Sequence, residues 1–264
     1  MPFLTRSGIK LYYEVHGSSA SQPLILSHGY SATSEMWKGQ IASFSQDYRL
    51  IIWDMRGHGQ SDYPEDQSAY SEDHTVADIA ALLDEVVPDK SQKVIVGGLS
   101  LGGYMSLAFY RQHPDRVLKL LIIDTGPGFK KDAARDDWNK TAYNTAENFE
   151  KNGLVSLQGA SPERSQVTHR NAKGLAYAAR GMLAQRNDAV MQVLAEIRVP
   201  SLIVVGSEDK PFLAASEYMT KKIPGAKKAI IPGAGHAANI DQPEAFNNAI
   251  LKFLQEDKPT RAKI

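Results

Sequence analysis

The chain has 264 residues, with 30 Lys+Arg balanced by 30 Asp+Glu and no cysteine. Zero formal net charge leaves no single-sign field to hold a polyanion or coat an anionic membrane, which argues against nucleic acid as the main ligand. Missing cysteine removes disulfides, thiolate nucleophiles and thiolate metal ligands together. No stretch approaches about 18 consecutive apolar residues, so no transmembrane helix is expected.

Short apolar runs alternate with longer amphipathic stretches, a pattern that predicts βα units around a mostly parallel, doubly wound sheet. In chain order, strands are predicted from Ile9 to Val15, over Leu24-Ile25-Leu26 and from Tyr48 to Trp53. A helix follows over Thr75 to Val87, with Val76, Ile79, Ala80, Leu83 and Val87 at helical spacing. Val94-Ile95-Val96 then leads into a helix from Gly102 to His113 that stops before Pro114. Further strands are predicted over Leu118 to Ile123, Leu202 to Val205 and Lys228 to Ile231. A last helix spans Pro243 to Gln255, with Pro243 suited to its first turn.

The interval from Phe129 to Glu196 breaks this rhythm. It is rich in Ala, Asn, Lys, Arg and Glu and almost free of β-branched runs. It is too long for an ordinary crossover and predicts an inserted helical cap, or lid, over 129–196. The core domain is then residues 1–128 with 197–264.

The strongest chemical signal is Gly98-Leu99-Ser100-Leu101-Gly102, a G-x-S-x-G between an apolar strand and a helical pattern. A nucleophile lifted above a sheet needs a very tight strand-to-helix turn. Side chains two residues to either side would collide there, and glycine removes them. The turn also points the unpaired N–H groups of the helix at the reacting centre.

A serine hydroxyl is a weak nucleophile without a base. Of seven histidines, His236 stands out, on the small-residue loop Gly233-Ala234-Gly235 after the last strand. The base needs an orienting acid. Asp209 lies just beyond Leu202 to Val205, where open α/β sheets place their ligands, and Asp124 after the preceding strand is its rival. His28-Gly29-Tyr30 ends an early strand, so Tyr30 can offer a backbone N–H to an oxyanion together with the N–H of Leu101. His28 itself is expected to tie loops together.

These pieces resemble the α/β-hydrolase fold superfamily in its compact, lid-bearing branch. The matching segments are Ser27-His28-Gly29-Tyr30, Asp54-Met55-Arg56-Gly57-His58-Gly59-Gln60-Ser61, Gly98 to Gly103, His113 to Val117, Gly206 to Asp209 and Gly233 to His236. The resemblance implies Ser100 as nucleophile, His236 as base and Asp209 as acid, with Tyr30 and Leu101 N–H groups as the oxyanion hole. It implies a structural role for the Arg56 to Gly59 loop. Haloalkane dehalogenases and epoxide hydrolases share the layout but use aspartate at the turn, which argues against both. The segment Gly233 to Phe246 is similar to 3-oxoadipate enol-lactonases and general esterases.

The expected activity is therefore hydrolysis of a small carboxylic ester, lactone or thioester through an acyl-enzyme. C–C bond hydrolysis, aminopeptidase action or cofactor-free perhydrolysis with the same triad are the rivals. A small-molecule receptor with residual turnover is the reading from another class. No metal or organic cofactor is called for, since there is no H-E-x-x-H and no dinucleotide fingerprint. Trp138, Tyr143, Tyr177 and Met182 are the candidates for lining an acyl pocket. The protein is expected to be a cytoplasmic monomer or homodimer. Ala262-Lys263-Ile264 loosely resembles a peroxisomal address, and the plainer expectation is a basic tail.

Overall fold

The computed structural model describes residues 2–256, so Ala262-Lys263-Ile264 lies outside the described residues. It opens with a hairpin of β1 (Phe3–Arg6) and β2 (Ile9–His16). The two turn residues, Ser7 and Gly8, have φ of 51° and 78°, the positive values that a two-residue hairpin favours. The sequence predicts no strand before Ile9, because four residues are too few to display a period.

Next come β3 (Gln22–Ser27), α1 (Lys38–Phe44), β4 (Tyr48–Trp53), α2 (Glu72–Val86), β5 (Val94–Leu99), α3 (Leu101–Gln112) and β6 (Val117–Ile123). A purely helical stretch follows: α4 (Asp132–Asn152), α5 (Pro162–Ser165), α6 (Ala172–Ala178) running into a π-helical turn over Ala179–Leu183, and α7 (Ala189–Val193). The chain then returns to the sheet with β7 (Ser201–Gly206), α8 (Lys210–Lys222), β8 (Lys227–Ile231), α9 (Ala238–Asp241) and α10 (Pro243–Gln255).

The strand order is β1-β2-β4-β3-β5-β6-β7-β8. β2 runs antiparallel to both neighbours, and the rest of the sheet is parallel. This is the doubly wound α/β sheet that the alternation predicts. Because helices cover both faces, the central strands must be apolar throughout. Every residue of β5 and of β7 is accordingly buried. Side chains alternate between two cores. Ile25, Ile51, Val96 and Ile122 face α2 and α3, while Leu24, Leu26, Leu50 and Leu121 pack with Trp37, Phe44 and Phe246. β4 and β5 lie on opposite sides of β3, so the chain changes direction there and leaves a crevice at the carboxyl ends of the strands.

Two buried polar frames hold the loops above that crevice. Arg56 grips Asp78 of α2 with two parallel bonds, Nε to Oδ2 at 2.7 Å and Nη2 to Oδ1 at 2.6 Å, and its Nη1 donates to the Ala69 carbonyl at 2.7 Å. Arg6 of β1 adds a third bond to Asp78 at 2.6 Å. The second frame is a row of histidines. The His28 and His58 rings are 4.9 Å apart, and those of His58 and His169 are 5.8 Å apart. Each ring spends both nitrogens on backbone. His28 donates to Gly29 O and accepts from Met55 N. His58 donates to Arg56 O and accepts from Ser31 N. His169, from the helical stretch, donates to Ser31 O at 3.0 Å and accepts from Gly59 N at 3.1 Å. A ring nitrogen that accepts cannot carry a proton, so all three are neutral. Burial lowers His28 and His169 to about 4 and pushes His58 well below its ordinary value.

Acid should therefore weaken this frame. Between the ordinary histidine value near 6.5 and about 4, the unfolded chain binds a proton at position 169 that the folded chain refuses. Folding stability is lost as pH falls through that window, by up to about 1.4 kcal/mol per pH unit for one such group. Urea titrations of wild type and His169→Gln at several pH values should show the wild type's advantage shrinking from pH 6.5 toward 4. A gap that stays constant would contradict the neutral, backbone-bonded ring.

Candidate active site

Ser100 joins β5 to α3 with φ 55° and ψ −116°, outside the regions that L-residues prefer. Such a backbone costs of order 1–3 kcal/mol and survives only where its surroundings dictate it. They do so here through close approach. A Cβ on Gly98 would stand 2.5 Å from the Gly102 carbonyl carbon and 2.7 Å from the Ser27 carbonyl oxygen. A Cβ on Gly102 would meet the Ser27 and His28 carbonyls, and one on Gly103 would stand 2.7 Å from the Thr125 methyl. The strained residue is itself pinned. Ser100 N–H donates to Ile123 O at 2.9 Å, and Ser100 O accepts from Thr125 Oγ1 at 2.7 Å and from Tyr104 N–H at 3.0 Å.

The loop after β3 closes on this turn. A Cβ on Gly29 would lie 3.5 Å from the Ser100 Cβ, so the next peptide N–H, that of Tyr30, belongs to the same neighbourhood. Leu101 opens α3, and its N–H is among those that a helix leaves without an internal partner. The Tyr30 hydroxyl donates to Leu175 O of α6 at 2.8 Å. Burial raises its phenol pKa, so the hydroxyl stays a donor.

His236 lies on the loop between β8 and α9. Gly206 ends β7 without a side chain, and a Cβ there would strike the Ala234 and Gly235 carbonyl oxygens, so the loop crosses directly over the strand end. Glu208 N–H to Ala234 O at 2.8 Å and Gly235 N–H to Asp241 Oδ2 at 2.8 Å fix its path. His236 Nδ1 meets Asp209 Oδ2 at 2.8 Å, and the Phe212 ring stacks on the imidazole at 5.0 Å and 26°. The Asp209 carboxylate is nearly closed to solvent, whereas the imidazole is 30% exposed.

Asp124, the rival acid, sits beside Asp209. It is fully buried with φ 44°, and its Oδ1 accepts the Gly206 N–H at 2.8 Å. Its Oδ2 is buried without a hydrogen-bond partner among the described residues, within reach of the Asp209 charge. Burial, followed by the neighbouring Asp209 charge, pushes its pKa up to about 8. Both effects favour its neutral form, which sets it apart from the carboxylate on His236.

A cavity of about 140 Å³ opens at Ser100. Its wall comes from four places: Leu101 and Tyr104 of α3, the loop Thr125 to Phe129 after β6, Trp138, Met182, Leu183 and Gln185 of the helical stretch, and Pro211, Phe212 and Ala215 of α8. Phe212 thus borders the cavity that holds Ser100 and also packs on His236. Of the four lining candidates, Trp138 and Met182 lie on this wall. Tyr143 does not: it is 44% exposed, one residue off the Ala142, Ala146, Phe149 stripe that α4 buries. Tyr177 packs edge-on against Tyr70 at 5.6 Å instead. No sequence pattern singles out Phe129, Gln185 or Phe212. The run Gly126-Pro127-Gly128, a turn at a strand's carboxyl end, was the available signal for the first of them.

The family model described as the alpha/beta hydrolase fold matches residues 22–173. The 3-oxoadipate enol-lactonase 1 of Acinetobacter baylyi is 28% identical over 95% of this chain and 95% of its own length. Among solved structures, a thermophilic esterase from Thermogutta terrifontis, with malate bound, superposes with a TM-score of 0.78 at 28% identity, covering 96% of each chain. A hydrolase from Pseudomonas aeruginosa PA01 gives a TM-score of 0.78 at 27% identity, covering 96% of this chain and 97% of that one.

If Asp124 works as a buried acid, asparagine should replace it well. Asn keeps an acceptor for Gly206 N–H without placing a charge beside Asp209, and it tolerates positive φ. Alanine leaves the Gly206 N–H unpaired, at about 1–3 kcal/mol. Denaturant unfolding should rank Asp124→Ala below Asp124→Asn at every pH. A raised carboxyl loses its stabilising proton as pH climbs toward 8, so Asp124→Asn should gain on wild type over the rise from about 4 to about 8. An asparagine variant that instead loses ground with rising pH would show that the carboxyl works ionised.

Proposed function

The chain belongs to the alpha/beta hydrolase fold family, and on that premise we propose that it is a serine hydrolase that cleaves a carboxylic ester of a small molecule. The observation that carries this is the strained Ser100 at the mouth of an apolar cavity, bordered by Phe212, which stacks on an imidazole already paired to a carboxylate. In this mechanism His236 takes the Ser100 proton as Oγ attacks the ester carbonyl. Asp209 holds the Nδ1–H tautomer and stabilises the imidazolium that forms. The N–H groups of Tyr30 and Leu101 receive the developing oxyanion, a contribution of about 2.7–4 kcal/mol per donor in such sites. His236 then protonates the departing alcohol, and a water activated by the same imidazole releases the acid.

The wall favours an ester over a charged lactone. The enol-lactonase relative is named for 3-oxoadipate, an oxo-diacid. Among the described residues, no charged side chain lines the cavity in this chain. An anionic acyl group would thus enter without a counter-charge, and its desolvation would count against it. The apolar wall supports a neutral substrate. Residues 129–196 act in this reading as the cap, with 1–128 and 197–264 as the core. The helical stretch supplies Trp138, Met182 and Gln185 to the wall, and it is moored to the core by Tyr30 and His169.

The test is steady-state hydrolysis of a short-chain p-nitrophenyl ester by wild type and Ser100→Ala, with mass-spectrometric mapping of a fluorophosphonate adduct. Turnover should fall on the order of a millionfold in the variant, and the adduct should sit on Ser100. Equal turnover, or an adduct elsewhere, would remove Ser100 from the chemistry.

A further inference from the structure

In the proposed reaction His236 becomes an imidazolium twice, once as Ser100 attacks the ester and once as water attacks the acyl-enzyme. That cation forms at the start of a helix. Asp209, its partner through Nδ1, caps the N-terminus of α8, and Lys210 is the first residue of that helix. A helix N-terminus carries partial positive charge, and Lys210 brings a full charge to the same turn. Both count against a second cation there. Asp209 offsets them at the edge of the imidazole, and Phe212 lies on its face.

One turn of chain delivers both groups. Pro211 stands in the first turn of α8, where its fixed φ suits the start of a helix. Phe212 N–H donates to the Asp209 carbonyl at 2.9 Å and closes that turn. Residues three apart share one side of a helix, so the carboxylate of Asp209 and the ring of Phe212 reach His236 together. The two rings are 5.0 Å apart and 26° from parallel. A cation within about 6 Å of an aromatic centroid is attracted to the negative face of the ring. Against neutral imidazole the same contact is ordinary stacking. The attraction is therefore stronger in the transition state than in the resting enzyme, which is the condition for raising a rate rather than tightening binding. A leucine at this position would continue the wall formed by Met182 and Leu183, but it has no such face.

We infer that Phe212 is a positioning residue of the proposed hydrolysis: its ring face holds the His236 imidazole and stabilises the imidazolium formed in each step. The inference rests on the proposed ester hydrolysis at Ser100 and extends it to a side chain that neither gives nor takes a proton.

The experiment replaces Phe212 with 4-fluoro-, 3,5-difluoro- and pentafluorophenylalanine by amber suppression, beside Phe212→Leu and Ser100→Ala. Each is assayed on p-nitrophenyl butyrate at neutral pH. Fluorine draws charge from the ring face while nearly keeping the size of the ring, so the stack and the fold persist as the attraction fades. Turnover should fall stepwise with the number of fluorines, by about three- to thirtyfold at the pentafluoro ring. KM should stay within about twofold across the series, since binding in the ground state is unaffected. Phe212→Leu should lose at least as much in kcat as the pentafluoro ring. A kcat that is flat across the fluorinated series overturns the inference, even where Phe212→Leu is slow, because packing alone then explains the loss. A change confined to KM also overturns it and makes the ring a wall for substrate. Both outcomes leave the Ser100 reading intact. Hydrolysis that persists in Ser100→Ala, or none by wild type, overturns the Ser100 reading and takes this one with it.

Discussion

The contact between the Ser27 carbonyl and the alpha-carbons of Gly98 and Gly102 governs the geometry of this molecule. It brings the end of β3 against the turn between β5 and α3, closer than any side chain permits. From it follow the unusual backbone of Ser100, the placement of Gly29 against the serine, and the direction in which α3 leaves the sheet. The rest of the crevice is arranged around a position that packing has already settled.

Polar groups extend that rigidity upward. The loops that follow β3 and β4 have little regular structure of their own, so their backbone groups need other partners. The three histidine rings supply them, acting as neutral spacers between peptide groups that would otherwise be buried unpaired. The Arg56–Asp78 pair does the same with charge. Losing one partner of such a buried pair costs about 3–5 kcal/mol, because the other is left unmatched. Beside the histidine at the opposite side of the crevice, burial and the Asp209 charge together push the Asp124 carboxyl toward its neutral form.

Much of this was legible from the chain alone. The sheet could be read because buried parallel strands are continuous Val/Ile/Leu runs, and Pro243 to Gln255 was recognisable from its apolar face and its proline start. The glycines flanking Ser100 could be read because sterics permit no other residue there. What escaped has a common cause. β1 is too short to show a period, and α8 buries only Ser216 and Met219, so its apolar signal is faint. His28, His58 and His169 meet across more than a hundred residues, and no local spacing foretells that. The cavity wall depends on how the helices after β6 settle on the sheet, which puts Trp138 on it and leaves Tyr143 on another face of the same helix. Asp124 and Asp209 are alternatives in the sequence, and only the fold brings them close enough to influence each other.

The backbone strain at position 100 has a consequence for descent. It is set by the glycines and carbonyls around it, not by the atom that the side chain carries at its tip. A single-codon change there can exchange one nucleophile for another while the conformational burden stays as it was. A change at Gly98, Gly102 or Gly103 has no such freedom, since any added carbon meets backbone or a packed threonine. Lineages built on this frame can therefore diversify their chemistry quickly at one site, while the small residues beside it stay fixed for reasons unrelated to any particular reaction.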